Sequence, residues 1–182
     1  MLFSANLLLR IKITTIKIII GTSVYTVRPA SVEDVDNIYS LIYASVCELC
    51  KAHYTQEKIN SFINNLPSKL LYYKWLSDRI LIVCCEGKTI VGFGQFDPAE
   101  SFIDAIFVDP QYIGKGIGTK IMTYLDDVAR SLRKSEIKIN ASINAISFYE
   151  KCGFVQQGTF FLTCKDGTHF ETVKFSKLLT KD

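Results

Sequence analysis

The stretch from Phe102 to Leu125 constrains this chain more than any other. Phe102-Ile103-Asp104-Ala105-Ile106-Phe107-Val108 is a run of β-formers stopped by Asp109-Pro110. Gln111-Tyr112-Ile113-Gly114-Lys115-Gly116-Ile117-Gly118-Thr119 follows as a glycine-rich turn, and Lys120-Ile121-Met122-Thr123-Tyr124-Leu125 opens a helical pattern. Strand, glycine turn and helix N-terminus in that order form an anion site. The glycines let backbone N–H groups converge, and the helix dipole favours negative charge. The loop is not a Walker loop, because Gly118-Thr119-Lys120 has the wrong order, nor is it G-x-G-x-x-G, because Gly114, Gly116 and Gly118 alternate. A phosphate or pyrophosphate carrier is expected against Ile113 to Thr119.

The whole chain sets wider bounds. Its 182 residues fit one domain with a substantial core, and 48% hydrophobic against 21% charged residues excludes a disordered chain. A net charge of +3 gives no positive argument for nucleic acid. Cys47 and Cys50 form a C-x-x-C inside a helical pattern without a second pair, and Cys84 and Cys85 are adjacent in a strand pattern. Neither spacing makes a zinc site, so no metal is expected, and the cysteines read as buried free thiols of a reducing cytoplasm. Leu7-Leu8-Leu9 and Ile18-Ile19-Ile20 are apolar, but Arg10, Lys12 and Lys17 interrupt them before the length of a membrane span is reached. No membrane association and no signal peptide are expected. Residues 1–23 are taken as an N-terminal extension outside the functional core, and 24–182 as the functional domain.

Val24 to Arg28 reads as a strand ended by Pro29, and Ser31 caps a helix carrying Val35, Ile38, Leu41, Ile42, Val46 and Leu49 at helical spacing. Thr55 caps a second helix, and Pro67-Ser68 opens a third short one. Strands follow at 80–85, 89–96 and 100–108, then a helix at 116–131, a strand at 136–141 and a short helix at 144–152. A hairpin formed by 154–164 and 169–177 closes the chain. The fold expected is α/β with a mixed sheet, in the order β-αα-βββ-α-β-α-ββ. The strand 100–108 and strand 136–141 are joined by a helical crossover and so form a parallel pair.

Three segments carry a resemblance to a known family. Val27-Arg28-Pro29-Ala30 lies in the first strand. Ile106-Phe107-Val108-Asp109-Pro110 leads into Gly114-Lys115-Gly116-Ile117-Gly118. Asn144-Ala145-Ile146-Ser147-Phe148-Tyr149-Glu150-Lys151-Cys152-Gly153-Phe154 follows later. In this order they resemble the GNAT family of acetyl-CoA-dependent N-acetyltransferases, over residues 24–178. The resemblance implies a parallel strand pair splayed around acetyl-CoA as co-substrate, and direct transfer of its acetyl group to a primary amine in a ternary complex. Counted back from Gly118, the loop departs from the family's Q/R-x-x-G-x-G, since Ile113 then stands where Gln or Arg is usual. Most of the phosphate grip in such a loop comes from backbone N–H groups, so binding is expected to survive.

Site residues follow from both sources. By strand alternation, residues 102, 104, 106 and 108 share a face, which puts Asp104 among apolar neighbours and demands a reason for the acid. The resemblance makes it the base for the amine, or the group that holds the amine. It also implies that the backbones of Ile106, Phe107 and Val108 receive the pantetheine arm, and that Ile113, Gly114, Lys115, Gly116, Ile117, Gly118 and Thr119 receive the pyrophosphate. Tyr149 matches the tyrosine that, in the family, protonates or hydrogen-bonds the departing coenzyme A thiolate. Asn144 is expected to cap its helix and contact the cofactor, and Asn140 is a weaker candidate beside the same gap. The first helices and the last hairpin are expected to form the acceptor pocket, with Tyr43, Cys47, His53, Tyr54 and Trp75 as candidate lining and His53 as an alternative base. A small-molecule amine is the expected acceptor, with a protein or tRNA amine as alternatives and a homodimer as a possible assembly. A non-catalytic acyl-CoA-binding or protein-interaction module with the same fold competes with the enzyme reading, and Ile113 is its main support.

Overall fold

The computed structural model describes residues 13–179. Ten main elements form the site and its support: β1 (Ile16–Ile20), β2 (Ser23–Pro29), α1 (Val35–Leu49), α2 (Gln56–Asn64), α3 (Lys69–Asp78), β3 (Ile80–Glu86), β4 (Thr89–Asp97), β5 (Phe102–Val108), α4 (Ile117–Ser131) and β6 (Glu136–Ser142). The chain ends with α5 (Ile146–Lys151), β7 (Val155–Thr163) and β8 (His169–Leu178). All eight strands form one sheet in the order β1-β2-β3-β4-β5-β6-β8-β7. Every neighbouring pair is antiparallel except β5 and β6. The mixed α/β fold and its central parallel pair are therefore as the sequence implied. The sheet also takes in Ile16–Ile20, which turns through Gly21-Thr22 to pair with β2. The Leu7-Leu8-Leu9 run lies outside the described residues. No helix among the described residues is long and apolar enough to cross a membrane.

Each face of the sheet carries a layer of helices, because the strands alternate apolar side chains to both sides. On one face, Val35, Ile38 and Ile42 of α1 and Tyr72 of α3 pack on Leu81, Val83 and Phe93. On the other, Ile117, Ile121, Leu125 and Ala129 of α4 pack on Ile80, Ile82, Phe96 and Ile103. Cys84 and Cys85 fall one in each layer, as adjacent strand residues must. Both are buried free thiols, whereas Cys47, Cys50, Cys152 and Cys164 are free but only half-buried, a departure from the expectation that all six are buried. Gly92 and Gly94 let α4 lie directly on β4. A Cβ on Gly94 would sit 2.6 Å from Ile121 Cγ2. The N-terminus of α4 is thus fixed against the sheet by contact with bare backbone.

The entry to α1 is fixed by charge. Arg28 donates to both carboxylate oxygens of Asp34, at 2.6 Å and 2.8 Å. The Ser31 amide and hydroxyl both donate to Asp34 Oδ2, at 2.8 Å and 3.0 Å. This is the reciprocal half of a capping box, with Arg28 as the added partner. These donors hold the Asp34 carboxyl down at about 2, against an ordinary 3.8. A carboxyl lowered on folding stabilises the native state above its unfolded value, and that contribution is lost as pH falls through the folded value. Asp34→Asn is expected to lower stability by about 1–2 kcal/mol at neutral pH. In denaturant unfolding, the difference from the parent protein should shrink as pH falls from 3.8 toward 2.

Candidate active site

The site begins where β5 and β6 stop pairing. Their register holds only at Phe102↔Lys138 and Ile103↔Ile139. Ser101 clamps this base: its carbonyl accepts from Lys138 N at 3.0 Å, and its hydroxyl donates to the Glu136 carbonyl. Beyond Ile103 the strands part. β6 stays paired to β8 through Ser142, and β5 stays paired to β4 through Val108. The edge of β5 from Ala105 to Val108 that faces β6 therefore lacks a strand partner, and a cleft of about 850 Å³ occupies the gap. Ile106, Phe107 and Val108 line one side of it, and Asn140, Ala141 and Ser142 the other. An extended ligand can add to such an edge as a further strand.

At the mouth of the cleft, Asp109 starts a short turn by accepting from Gln111 N at 2.8 Å. Gly114 and Gly116 then take left-handed conformations, with φ of +77° and +80°. Gly116 caps α4, and Lys120 is the first helical residue to donate back, to Gly116 O at 3.1 Å. Among the described residues, the N–H groups of Ile117, Gly118 and Thr119 find no acceptor in the protein. These are the free donors of a helix N-terminus, aimed at a loop wall without side chains at Gly114 and Gly116. Gly118 also brings α4 close to α5, since a Cβ there would meet Phe148 Cε2 at 3.1 Å. Ile113 is half exposed and lines the cleft, so its side chain offers apolar contact. The departure expected at Ile113 disappears when the loop is counted from Gln111, because Gln111-Tyr112-Ile113-Gly114-Lys115-Gly116 is itself Q-x-x-G-x-G and Gly116 is the residue that caps α4. Lys115 places its ammonium over the Tyr112 ring at 4.4 Å.

Asp104 stands differently from the expected alternation. Gln95 lies opposite Ala105 and Phe96 opposite Ile103, so Asp104 is the extra residue of a β-bulge. Ile103 packs in the same layer as Ile106 and Val108, while Ala105 and Phe107 pack in the other. The bulge therefore breaks the shared face of 102, 104, 106 and 108, and the Asp104 side chain meets Gln95 and Arg79 instead. Gln95 Nε2 donates to Asp104 Oδ2 at 3.2 Å, and Arg79 Nη1 donates to the same oxygen. Arg79 is itself held at 3.4 Å from Asp97 and lies over the Trp75 ring at 4.8 Å. Asp104 Oδ1 accepts no bond among the described residues, and the residue lines the cleft. Burial pushes the Asp104 carboxyl above its ordinary value, although Arg79 pulls it the other way.

Tyr149 is 5% exposed and lines the cleft from α5. Its ring packs on Phe148, Phe154 and Phe175, and burial pushes its phenol well above the ordinary range. Asn144 also lines the cleft but does not cap α5, whose N-cap is Ala145. It accepts instead from the Ser142 hydroxyl at 2.6 Å, because a short turn at 143–145 intervenes before the helix. Tyr54 reaches across from the α1–α2 connection and accepts from Ile143 N at 3.2 Å. Of the proposed acceptor lining, His53 and Tyr54 face the cleft. Tyr43, Cys47 and Trp75 do not; Trp75 packs instead against Tyr72 and Arg79. No group of His, Cys, Asp and Glu placed to hold a metal occurs among the described residues.

The family profile described as "Acetyltransferase (GNAT) domain" matches residues 50–172. The chain belongs to the GNAT family of acetyltransferases. Among similar proteins is an uncharacterised N-acetyltransferase of Methanocaldococcus jannaschii, 25% identical over 150 residues, which cover 73% of this chain and 62% of that protein. The chain thus spans under two thirds of that relative's length. Among solved structures, a GCN5-related N-acetyltransferase from Rhodopseudomonas palustris superposes with a TM-score of 0.78 at 23% identity, over 84% of this chain and 94% of that one. The PaiA N-acetyltransferase of Thermoplasma acidophilum, in complex with coenzyme A, superposes at 0.72 with 19% identity, over 85% and 98%. These two likenesses concern the fold.

Sequence reasoning missed Arg79, Gln95 and the bulge at Asp104. The strand gave no local signal of the bulge, since both of its faces are apolar and Ile103 and Ile106 fit either layer. Arg79 carried no local signal, because its partners lie 18 and 25 residues away in the chain. The cradle generates a steric test. Gly118→Val drives a branched side chain into Phe148 and Val108 at the phosphate end. It is expected to weaken coenzyme A binding about tenfold or more in calorimetry while the circular dichroism spectrum stays native.

Proposed function

We propose that this GNAT protein transfers the acetyl group of acetyl-CoA to a primary amine by direct attack in a ternary complex. The observation that carries this reading is the parted β5–β6 pair, which opens onto both the free N–H groups of the loop and the Asp104 carboxylate. Acetyl-CoA supplies an activated thioester carbonyl. Ile117, Gly118 and Thr119 N–H groups hold its pyrophosphate, and the free edge of Ile106 to Val108 holds the pantetheine arm and polarises the carbonyl. Asp104, through Oδ1 or one water, takes the proton that the amine loses as its nitrogen bonds to the carbonyl carbon. As the carbon–sulfur bond breaks, Tyr149 donates a hydrogen bond to the departing thiolate, and the proton that Asp104 took from the amine leaves with the thiol through water. Burial, which holds the phenol proton tightly, keeps Tyr149 a hydrogen-bond donor throughout the working range. Arg79 is a positioning residue: it fixes Oδ2 of Asp104 and leaves Oδ1 to the amine.

The competing reading, a module that binds acyl-CoA without turnover, draws support from the Asp104–Arg79 ion pair, because a carboxylate so paired serves structure as well. Release of coenzyme A thiol in the presence of a broad amine panel tests the two. Tight coenzyme A binding without any thiol release would sink the enzyme reading.

Asp104→Asn is expected to lower kcat about 10²–10⁴-fold and to remove the acid limb of the pH profile. Arg79→Gln deletes a cation that favours the charged carboxylate. It is therefore expected to move the acid limb to higher pH with a smaller loss of kcat at its plateau. Tyr149→Phe should lower kcat with little change in coenzyme A affinity, and unchanged turnover would remove Tyr149 from the mechanism.

A further inference from the structure

Beyond the thioester end, the cleft continues toward α2 and the β7–β8 hairpin. Tyr54, Phe62 and Phe170 meet there, with ring centroids of 5.7 Å and 5.9 Å between Phe170 and the other two. Phe160 and Leu162 of β7 extend the same wall. The hairpin tip is tied to the end of α2, where Lys165 N donates to Asn65 Oδ1 at 3.2 Å. The two walls are thus joined at the rim, which suits a small acceptor better than a chain terminus that must lie along an open groove.

The charge of the lining is one-sided. Asp104 and Glu171 are its carboxylates, and no Lys or Arg is among the lining residues. Two cations of this region, Lys58 and Lys174, lie over the Phe170 and Phe160 rings, at 5.9 Å and 5.0 Å, rather than in the lining. Arg79 is committed to Asp104 and Asp97. A phosphate or carboxylate on the acceptor would lose its water here and meet the Glu171 charge and an Asp104 whose guanidinium is already taken, with the His53 imidazole as the one basic side chain of the lining. An ammonium group gains from the same carboxylates before it gives up its proton, and an apolar body gains by covering the aromatic wall.

We propose that the acceptor is a small primary amine on an uncharged apolar body, best an aromatic one, and that phosphorylated or carboxylated amines are excluded. This rests on the acetyl-transfer reading only for its chemistry, since the selectivity is a property of binding to the lining. Leu162 is the residue through which it is best tested. It is half exposed on the edge strand, so a lysine there is tolerated by the fold.

The test uses the full chain loaded with coenzyme A and titrates 2-phenylethylamine and glucosamine 6-phosphate by calorimetry. Thiol release from acetyl-CoA is then measured with the same two amines. The aromatic amine is expected to bind, and to exceed the amino sugar phosphate about 100-fold in affinity and in kcat/KM. Leu162→Lys should reduce that ratio at least tenfold while the Kd of coenzyme A stays unchanged. Equal or tighter binding of glucosamine 6-phosphate, or a ratio unmoved by Leu162→Lys, overturns the proposal, as does the absence of binding by the aromatic amine. Selective binding of the aromatic amine without thiol release overturns the transfer reading and leaves the selectivity standing.

Discussion

The site depends on a parallel strand pair that is clamped at one end and released at the other. The backbone bonds around Ser101 and the two register pairs at 102–103 hold β5 and β6 together at the base. Their outer neighbours then keep each strand paired on its far side. Unpaired strand edges inside a protein carry a desolvation cost, because N–H and C=O groups are obligatory hydrogen-bonding groups. The cleft between the strands lets water, or an extended amide-bearing ligand, meet those groups. A ligand with peptide-like amides and a terminal pyrophosphate fits both halves: the strand edge takes the amides, and the α4 N-terminus beyond it takes the charge. The position of α4 follows in turn from Gly92 and Gly94, whose missing side chains let Ile121 approach the β4 backbone.

The bulge at Asp104 has a matching role in the electrostatics. A regular strand would have placed the acid in the layer of Ile106 and Val108, against α4, where apolar neighbours offer no compensation. One extra residue turns it toward Gln95 and Arg79. Gln95 is buried, and its amide is spent on Asp104 Oδ2. Burial and the guanidinium oppose one another, and burial prevails. The result is a carboxylate more basic than a surface aspartate and fixed in direction. These are the two properties a proton acceptor for an amine requires.

Much of this was legible from local pattern. The glycine loop, the strand before it and the helix after it are contiguous in the chain, so their order and composition expose the cradle. Tyr149 and Asn144 lie in one short segment and were equally accessible, although the cap expected of Asn144 falls to Ala145 because a single-turn helix precedes α5. What escaped is what depends on registry between distant strands. A bulge is a mismatch between β4 and β5, and nothing in either strand alone fixes where it falls. Arg79 ends a helix and meets Asp97 and Asp104 only because β3, β4 and β5 lie side by side. Tyr43, Cys47 and Trp75 were misplaced for a related reason. The cleft reaches α1 only along its C-terminal part, at Ser45, Val46, Leu49 and Cys50, a choice of helix face and depth that periodicity leaves open.

The two ends of the cleft divide the chemistry by kind of interaction. In the proposed reading, recognition at the loop uses backbone N–H groups, which are indifferent to side-chain identity, so the apolar Ile113 removes no donor of the α4 terminus. At the far end the lining consists of side chains, aromatic and aliphatic, with carboxylates and the His53 imidazole among them. The first arrangement tolerates sequence change and serves a ligand whose phosphates never vary. The second changes with each substitution in α2 or the β7–β8 hairpin. Because β7 is an edge strand whose outward residues bear little of the core, that wall can be altered without disturbing the clamp at Ser101 or the bulge at Asp104. In the proposed reading, acceptor choice is therefore separable from the catalytic geometry and resides in the β7–β8 hairpin at the edge of the sheet.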